Sequence, residues 1–323
     1  MTLHDDNTAA GDTLTVSTAM TTGVLVFDGS NETDGNLVVT AAGTGAHTVT
    51  LGSGNDSYTS TSSGVDTVVA TAGTNTISTG AGNDGITMGT GADDITGGAG
   101  DDTFNFESAN LTSIDVVAGG GDADTISLSD DNTVVDADFT NVTSVETLTA
   151  AADKDSTITL GALASAAGIT TVTLTGEAAS DTDTLTVGAG FTSALTVNLD
   201  DDASTANTVN AAAYTGALTI AAADTNLDSQ AHTLTGGTGT SDKVVITASG
   251  GTIQAADLAN VSAIETFDVT ATTADLTMTL HDDNTAAGDT LTVSTAMTTG
   301  VLVFDGSNET DGNLVVTAAG TGA

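Results

Sequence analysis

Residues 79–105 read TGAGNDGIT, MGTGADDIT and GGAGDDTFN, three nonapeptides end to end without a gap. Each has glycine at its second and fourth places, aspartate at its sixth and a large apolar residue at its eighth. The aspartates are Asp84, Asp93 and Asp102, and the apolar residues are Ile86, Ile95 and Phe104. A solvated acidic linker has no use for an apolar residue at every ninth position, whereas a stacked repeat does. The glycines Gly80, Gly82, Gly89, Gly91, Gly98 and Gly100 allow backbone angles that a side chain forbids and leave carbonyls free to face an ion.

The register extends backwards. Residues 70–78 (ATAGTNTIS) put Asn75 in the acidic place and Thr71 in that of the first glycine. Residues 61–69 (TSSGVDTVV) follow one inserted residue, Ser60, and offer Asp66, with Ser62 for the first glycine. Residues 51–59 (LGSGNDSYT) offer Asp56 and Tyr58. Residues 42–50 (AGTGAHTVT) keep the glycines but put His47 in the acidic place, which reads as a structural end to the acidic series. About seven nonapeptides thus run from 42 to 105.

This pattern matches the G-G-x-G-x-D-x-U-x calcium repeat, and the stretch resembles the RTX (repeats-in-toxin) β-roll family. The resemblance implies a turn from the first six residues of each nonapeptide and a short strand from the last three, with two nonapeptides per coil. The expected fold is all-β, a parallel β-roll or β-solenoid with few short helices. On that geometry Asp84 stacks on Asp102 and on Asp66, while Asp93 lies on the other side with Asn75 and Asp56. Carboxylates at the strand spacing of about 4.8 Å repel by about 1 kcal/mol in water, and by about 3–4 kcal/mol at an effective dielectric near 20. A cation between them reverses the sign. The implied cofactor is Ca2+, several ions per chain, because calcium accepts carboxylates and carbonyls in a loose geometry.

Composition agrees with a fold that needs cations. The chain of 323 residues has no Cys, Pro, Trp or Arg; Lys154 and Lys243 face 43 acids, for a formal charge of -41. Such imbalance signals disorder, yet 39% of residues are hydrophobic and fall in short Val, Ile, Leu and Thr runs. The charge argues against nucleic acid and anionic membrane surfaces as partners. No apolar run is long enough to span a bilayer, and no signal peptide is evident. The RTX resemblance implies type I secretion, which reads a C-terminal signal, and hence a bacterial extracellular or cell-surface location.

Residues 1–46 recur without one change at 278–323, an offset of 278 − 1 = 277. Met1 is matched by the mid-chain Met278. The chain therefore reads as a window of about 1.17 units (323/277) of an array of 277-residue repeats, with an overlap engineered at the ends as the alternative.

Four segments are expected: a strand-rich start at 1–41, the calcium roll at 42–106, a solenoid segment at 107–240, and a related β segment at 241–323. In the third, GGGDADTISL (119–128) is a degenerate calcium-type turn with Asp122 and Asp124 as candidate ligands. It leads into ADFTNVTSVETLTA (137–150). The plan recurs as SDKVVITASGG (241–251) and ADLANVSAIETFDVTA (256–271), aligning Asn141 with Asn260 and Glu146 with Glu265 at an offset of 119. This element resembles segments of large secreted RTX and surface-layer proteins, and its ADF or ADL start predicts one helical turn before a strand. LGALASAAGI (160–169) predicts the one short helix. Extending coils of about 18 residues to the whole 277-residue unit gives a stack of about 70 Å.

Catalytic signatures are missing: the sequence has no HExxH, GxSxG or P-loop, and His4, His47, His232 and His281 are scattered. The clusters Asp5-Asp6-Asn7, Asp130-Asp131-Asn132 and Asp200-Asp201-Asp202 lack EF-hand spacing and read as further calcium sites or solvated turns. The expected function is non-enzymatic: a calcium-stabilised structural repeat that self-associates or forms a covalent array as a filament, surface layer or adhesin stalk. Two alternatives stand beside it. One is a secretion or folding segment of a larger RTX enzyme or toxin. The other is a Thr-rich ligand-binding module, for a cell-surface glycan or ice, on strands such as TLTVST and TTVTLT, although Thr is common on strand surfaces.

Overall fold

Alternation decides which residues go inside. In Thr67–Ala70, Gly85–Met88 and Thr103–Phe106 every second residue is buried and its neighbours face solvent. The computed structural model describes residues 1–152, 154–175, 182–199, 206–229, 232–247, 250–269, 274–297 and 299–319, without the side chains of Asp6 and Asn132. Every strand pairing among them is parallel, and the fold is a β-solenoid. It divides into two compact units, one of residues 1–130, 135–149 and 166–169, the other of residues 131–134, 150–165 and 170–323.

In the first unit, one sheet runs through Thr13–Ser17, Asn36–Ala41, Ser57–Ser60, Thr76–Ala81, Asp94–Ala99, Val116–Gly121 and Val142–Thr143. The other runs through Val26–Asp28, Thr48–Thr50, Thr67–Ala70, Gly85–Met88, Thr103–Phe106, Thr125–Leu128 and Thr147–Thr149. Successive strands alternate between the sheets, so each coil crosses both. In-register stacking builds two apolar columns. One is Val49, Val68, Ile86, Phe104, Ile126 and Leu148, all 0% exposed. The other is Val39, Tyr58, Ile77, Ile95, Val117 and Val142. The place-eight residues therefore form the core. Pairing passes residues 41 and 106 without a break.

The 18-residue coil is local. Stacked positions are 18 residues apart around Asp84 and Asp102, but 22 apart from Asp102 to Asp124. In the second unit the spacing reaches 27. Without paired glycines to tighten the corners, coils take up extra loop, so the stack extrapolated from 18 residues per turn does not hold for the 277-residue repeat.

In the second unit, Thr171–Leu174, Leu195–Leu199, Leu218–Ala222, Lys243–Ile246, Thr266–Asp268, Thr290–Thr295 and Asn313–Ala318 share a sheet. A six-stranded sheet holds Asn132–Val134, Ser156–Leu160, Thr184–Val187, Thr208–Asn210, Thr233–Thr235 and Val261–Ser262. A three-stranded one holds Thr252–Ile253, Leu276–Thr279 and Leu302–Asp305. The expected helix is present at Ala162–Ala167, and a second, unexpected one at Asp224–Ser229. The expected helical turn at ADF is the 3-10 turn Asp136–Phe139, ahead of the strand Val142–Thr143.

Phe104 sits mid-column at 0% exposure, so Phe104→Ala is expected to cost about 3–5 kcal/mol. Val26→Ala, on a side chain 58% exposed, is expected to stay within about 0.5 kcal/mol. Denaturant unfolding in excess calcium measures both.

Candidate metal ladders

At the corners of the nonapeptide coils the residue just before a strand has a backbone N–H pointing along the stack. A side chain from the next coil accepts it. On one side, Asp66 N–H donates to Asp84 Oδ1 at 2.6 Å, Asp84 N–H to Asp102 Oδ1 at 2.8 Å, and Asp102 N–H to Asp124 Oδ1 at 2.9 Å. The series continues past both ends of the nonapeptides. Asp124 N–H donates to Glu146 Oε2 at 2.8 Å; at the other end His47 N–H donates to Asp66 Oδ1 at 2.9 Å, and His47 Nδ1 accepts from Leu25 N–H at 3.0 Å. On the other side, Leu37, Asp56, Asn75 and Asp93 donate in turn to the side chains of Asp56, Asn75, Asp93 and Asp115 at 2.7–3.0 Å.

The structure thus brings Asp66, Asp84, Asp102 and Asp124 into one column and Asp56, Asn75 and Asp93 into another. Asp122 joins neither: it is exposed, has φ of 75°, and accepts Gly100 N–H on Oδ2 at 3.2 Å. All seven column members are at most 2% exposed. Each ladder aspartate spends Oδ1 on the coil before it. The Oδ2 atoms of Asp84, Asp93, Asp102 and Asp124 are buried with no hydrogen-bond partner.

The glycines make room for this. At Gly97, the first place of its nonapeptide, a Cβ would lie 2.1 Å from Asp102 Oδ2. Gly98, in the second place, has φ of +124°, and a Cβ there would lie 1.9 Å from the Gly80 carbonyl oxygen. Gly80, Gly82, Gly91 and Gly100 share the left-handed conformation. Gly89 does not, and backbone angle is not the reason for a glycine there. Its constraint is close approach, since a Cβ would lie 1.8 Å from the Thr71 carbonyl oxygen.

Burial raises the pKa values of the ladder carboxyls. Asp84 and Asp93 are pushed up to about 6, chiefly by desolvation, against a usual 3.8. Asp102 reaches about 7, from desolvation first and then the charges of Asp84 and Asp124. Asp56 and Asp124 shift upward for the same leading reason. The chain's only basic side chains are two lysines and four histidines, so carboxylate columns of this size have few cationic partners to draw on. Hard anionic oxygens, stacked, buried and partly unpartnered, suit calcium.

Sequence reading missed members whose spacing departs from nine. These include Asp115 and Glu146, and in the second unit Ser156 N–H to Asp183 Oδ1 at 2.8 Å, Asp183 N–H to Asn207 Oδ1 at 3.1 Å, and Asn207 N–H to His232 Nδ1 at 3.0 Å. Burial lowers the pKa of His232, which favours its neutral form. Leu218 N–H donates to Asp242 Oδ1 and Asp242 N–H to Glu265 Oε2, both at 2.8 Å. The alignment of Glu146 with Glu265 was the available signal: both cap the N–H of a buried ladder aspartate. Asp130 Oδ1 accepts Ser108 N–H at 2.8 Å, and Asn7 Oδ1 accepts His4 N–H at 2.7 Å. The cluster 200–202 lies outside the described residues.

No family model, curated protein or solved structure matches the chain. Among the described residues no helix is long and apolar enough to cross a membrane.

The raised pKa values set a pH dependence. Between about pH 4 and pH 7 the metal-free folded chain holds more protons than the unfolded chain, so its stability falls as pH rises through that window and levels off above it. In chelator the folded fraction, read by far-UV circular dichroism, is expected to be higher at about pH 5 than at about pH 8, with a shallower pH dependence for Asp102→Asn. A flat or opposite profile in chelator would contradict the assignment of buried, charge-burdened ladders.

Proposed function

We infer that the chain is a non-enzymatic, calcium-stabilised structural repeat of the RTX type, secreted and assembled as a filament, surface layer or adhesin stalk. The observation that supports an array most directly is the junction between repeats. Thr266–Asp268, near the end of one 277-residue unit, pairs in register with Thr290–Thr295, the first long strand of the next copy: Thr266 with Thr292, Phe267 with Val293, Asp268 with Ser294. Leu276–Thr279, which spans the boundary at 277/278, pairs with Leu302–Asp305. The boundary falls inside a strand, with no linker, so repeats joined this way continue one another's sheets. Repeat proteins bury unit ends on their neighbours.

Calcium would be held by Asp66, Asp84, Asp102 and Asp124 on one side and by Asp56, Asn75 and Asp93 on the other, where it would neutralise stacked charge. The acidic chain would stay open where calcium is scarce and coil outside the cell, where sites of about 10⁻⁴–10⁻³ M affinity fill. Far-UV circular dichroism during a calcium titration tests this. A cooperative gain of β signal is expected, shifted to higher calcium by Asp84→Ala with Asp102→Ala. A chain fully folded in chelator at neutral pH removes the calcium switch.

A second reading has one observation in its favour. On the six-stranded sheet Thr157, Thr184, Thr208 and Thr233 stack in register, as do Thr159, Thr186, Asn210 and Thr235 two positions along. They face away from Ile158, Leu185, Val209 and Leu234, which are 0% exposed. Such a grid of hydroxyls and methyls would suit an ordered surface such as ice or a crystalline polysaccharide. Thermal hysteresis or co-sedimentation with insoluble polysaccharide, lost in Thr184→Lys with Thr208→Lys, is the expected sign; a folded protein that does neither eliminates this reading.

A further inference from the structure

A second kind of acidic site lies outside both ladders. Asp5, Glu32 and Asp34 each offer a carboxylate oxygen, and the three oxygens lie within 4.8 Å of one another. Asp282, Glu309 and Asp311 form the same group in the second copy of the 46-residue segment. The residues come from successive coils: Asp5 belongs to the 3-10 turn Asp5–Asn7, and the other two lie 27 and 29 positions further on (32 − 5 and 34 − 5).

The group is built around a buried carboxyl group. Glu32 is 0% exposed; its Oε1 accepts Gly35 N–H at 3.0 Å, and its Oε2 is buried with no hydrogen-bond partner. Glu309 repeats this, with Oε1 accepting Gly312 N–H at 2.8 Å and Oε2 buried and unpartnered. Asp5 is fixed beside it, because its Oδ1 accepts both the N–H and the hydroxyl of Thr33, at 2.9 and 2.6 Å. Asp282 holds Thr310 in the same way, at 2.8 and 2.9 Å. Asp5 and Asp34 are exposed and line an open cleft with Thr8, Ala9 and Ala10, which gives a hydrated ion a way in. A buried carboxylate oxygen without a partner is costly, and three converging carboxylates add repulsion to that cost. A cation removes both.

We propose that Asp5, Glu32 and Asp34 bind a calcium ion that ties two successive coils together, and that Asp282, Glu309 and Asp311 bind another, one such ion per 277-residue repeat. An all-carboxylate set selects a hard cation over zinc or copper. The two exposed members leave room for water in the coordination shell, which calcium accepts with loose geometry.

Calcium stoichiometry of the full chain tests this, by equilibrium dialysis with radioactive calcium. Asp34→Asn with Asp311→Asn alters only exposed side chains, and Glu32→Gln with Glu309→Gln keeps the buried shape. Each pair is expected to bind two fewer ions than the parent while retaining its circular dichroism at saturating calcium. Asp84→Ala with Asp102→Ala is expected to remove other ions and leave these two in place. Should the glutamine pair fail to fold, the asparagine pair decides. Unchanged stoichiometry in a folded variant, or a loss already complete in the Asp84 and Asp102 variant, overturns the proposal.

Discussion

The structure depends on one hydrogen bond repeated along the nonapeptide coils and at several corners beyond them: a backbone N–H handed to a buried side chain of the next coil. A parallel solenoid must satisfy these corner amides without water, because buried backbone donors go unpaired only at high cost. This chain uses aspartate where other acceptors would serve, and the choice brings a column of like charges. A hydrogen bond to a charged group contributes about 1.5–3 kcal/mol, while neighbouring charges one strand apart repel by about 3–4 kcal/mol at an effective dielectric near 20. Asp66, Asp84, Asp102 and Asp124 stand consecutively, so repulsion exceeds the hydrogen-bond gain. A proton or a metal ion must therefore enter the balance. Where Asn75 or His47 takes a rung, the amide is still capped and a charge is removed.

The β-solenoid and its core were legible in the sequence wherever the period of nine holds. Period nine fixes the 18-residue coil, the coil fixes which residues stack, and alternation within Gly85–Met88 or Thr103–Phe106 fixes which face inward. Beyond Phe106 the period is lost and the coil length varies. Side chains that perform the same task, such as Asp183, Asn207 and His232, then share neither spacing nor residue type. The group of Asp5, Glu32 and Asp34 was hidden for a related reason, since residues a coil apart meet only if the length of that coil is known. The helix Asp224–Ser229 gave little warning in DTNLDS, which has no apolar stripe.

The 119-residue internal echo shows how far short-range sequence controls these irregular coils. Ser144 and Ala263, at equivalent positions, take φ of 51° and 52° although neither is glycine. Two residues later Glu146 and Glu265 each reach the N–H of a buried aspartate. A left-handed residue is uncommon outside glycine, asparagine and aspartate. Finding it twice, each time just before the capping glutamate, ties that backbone twist to the rung it delivers.

The exact 46-residue copy separates what local sequence decides from what stacking decides. Both copies form the same elements, with Asn36–Ala41 matched by Asn313–Ala318 and Asp5–Asn7 by Asp282–Asn284. Burial differs. Val39 is 0% exposed beside Tyr58 of the following coil, whereas its copy Val316 is 52% exposed. Glu32 is fully buried and Glu309 only partly so. Strand and turn are thus written into the segment, while the dry interior is supplied by the next coil. Since the Oε2 of both glutamates is nevertheless buried and unpartnered, their acidic group is set by its own coil pair, and the unit of construction is the coil rather than the 277-residue repeat.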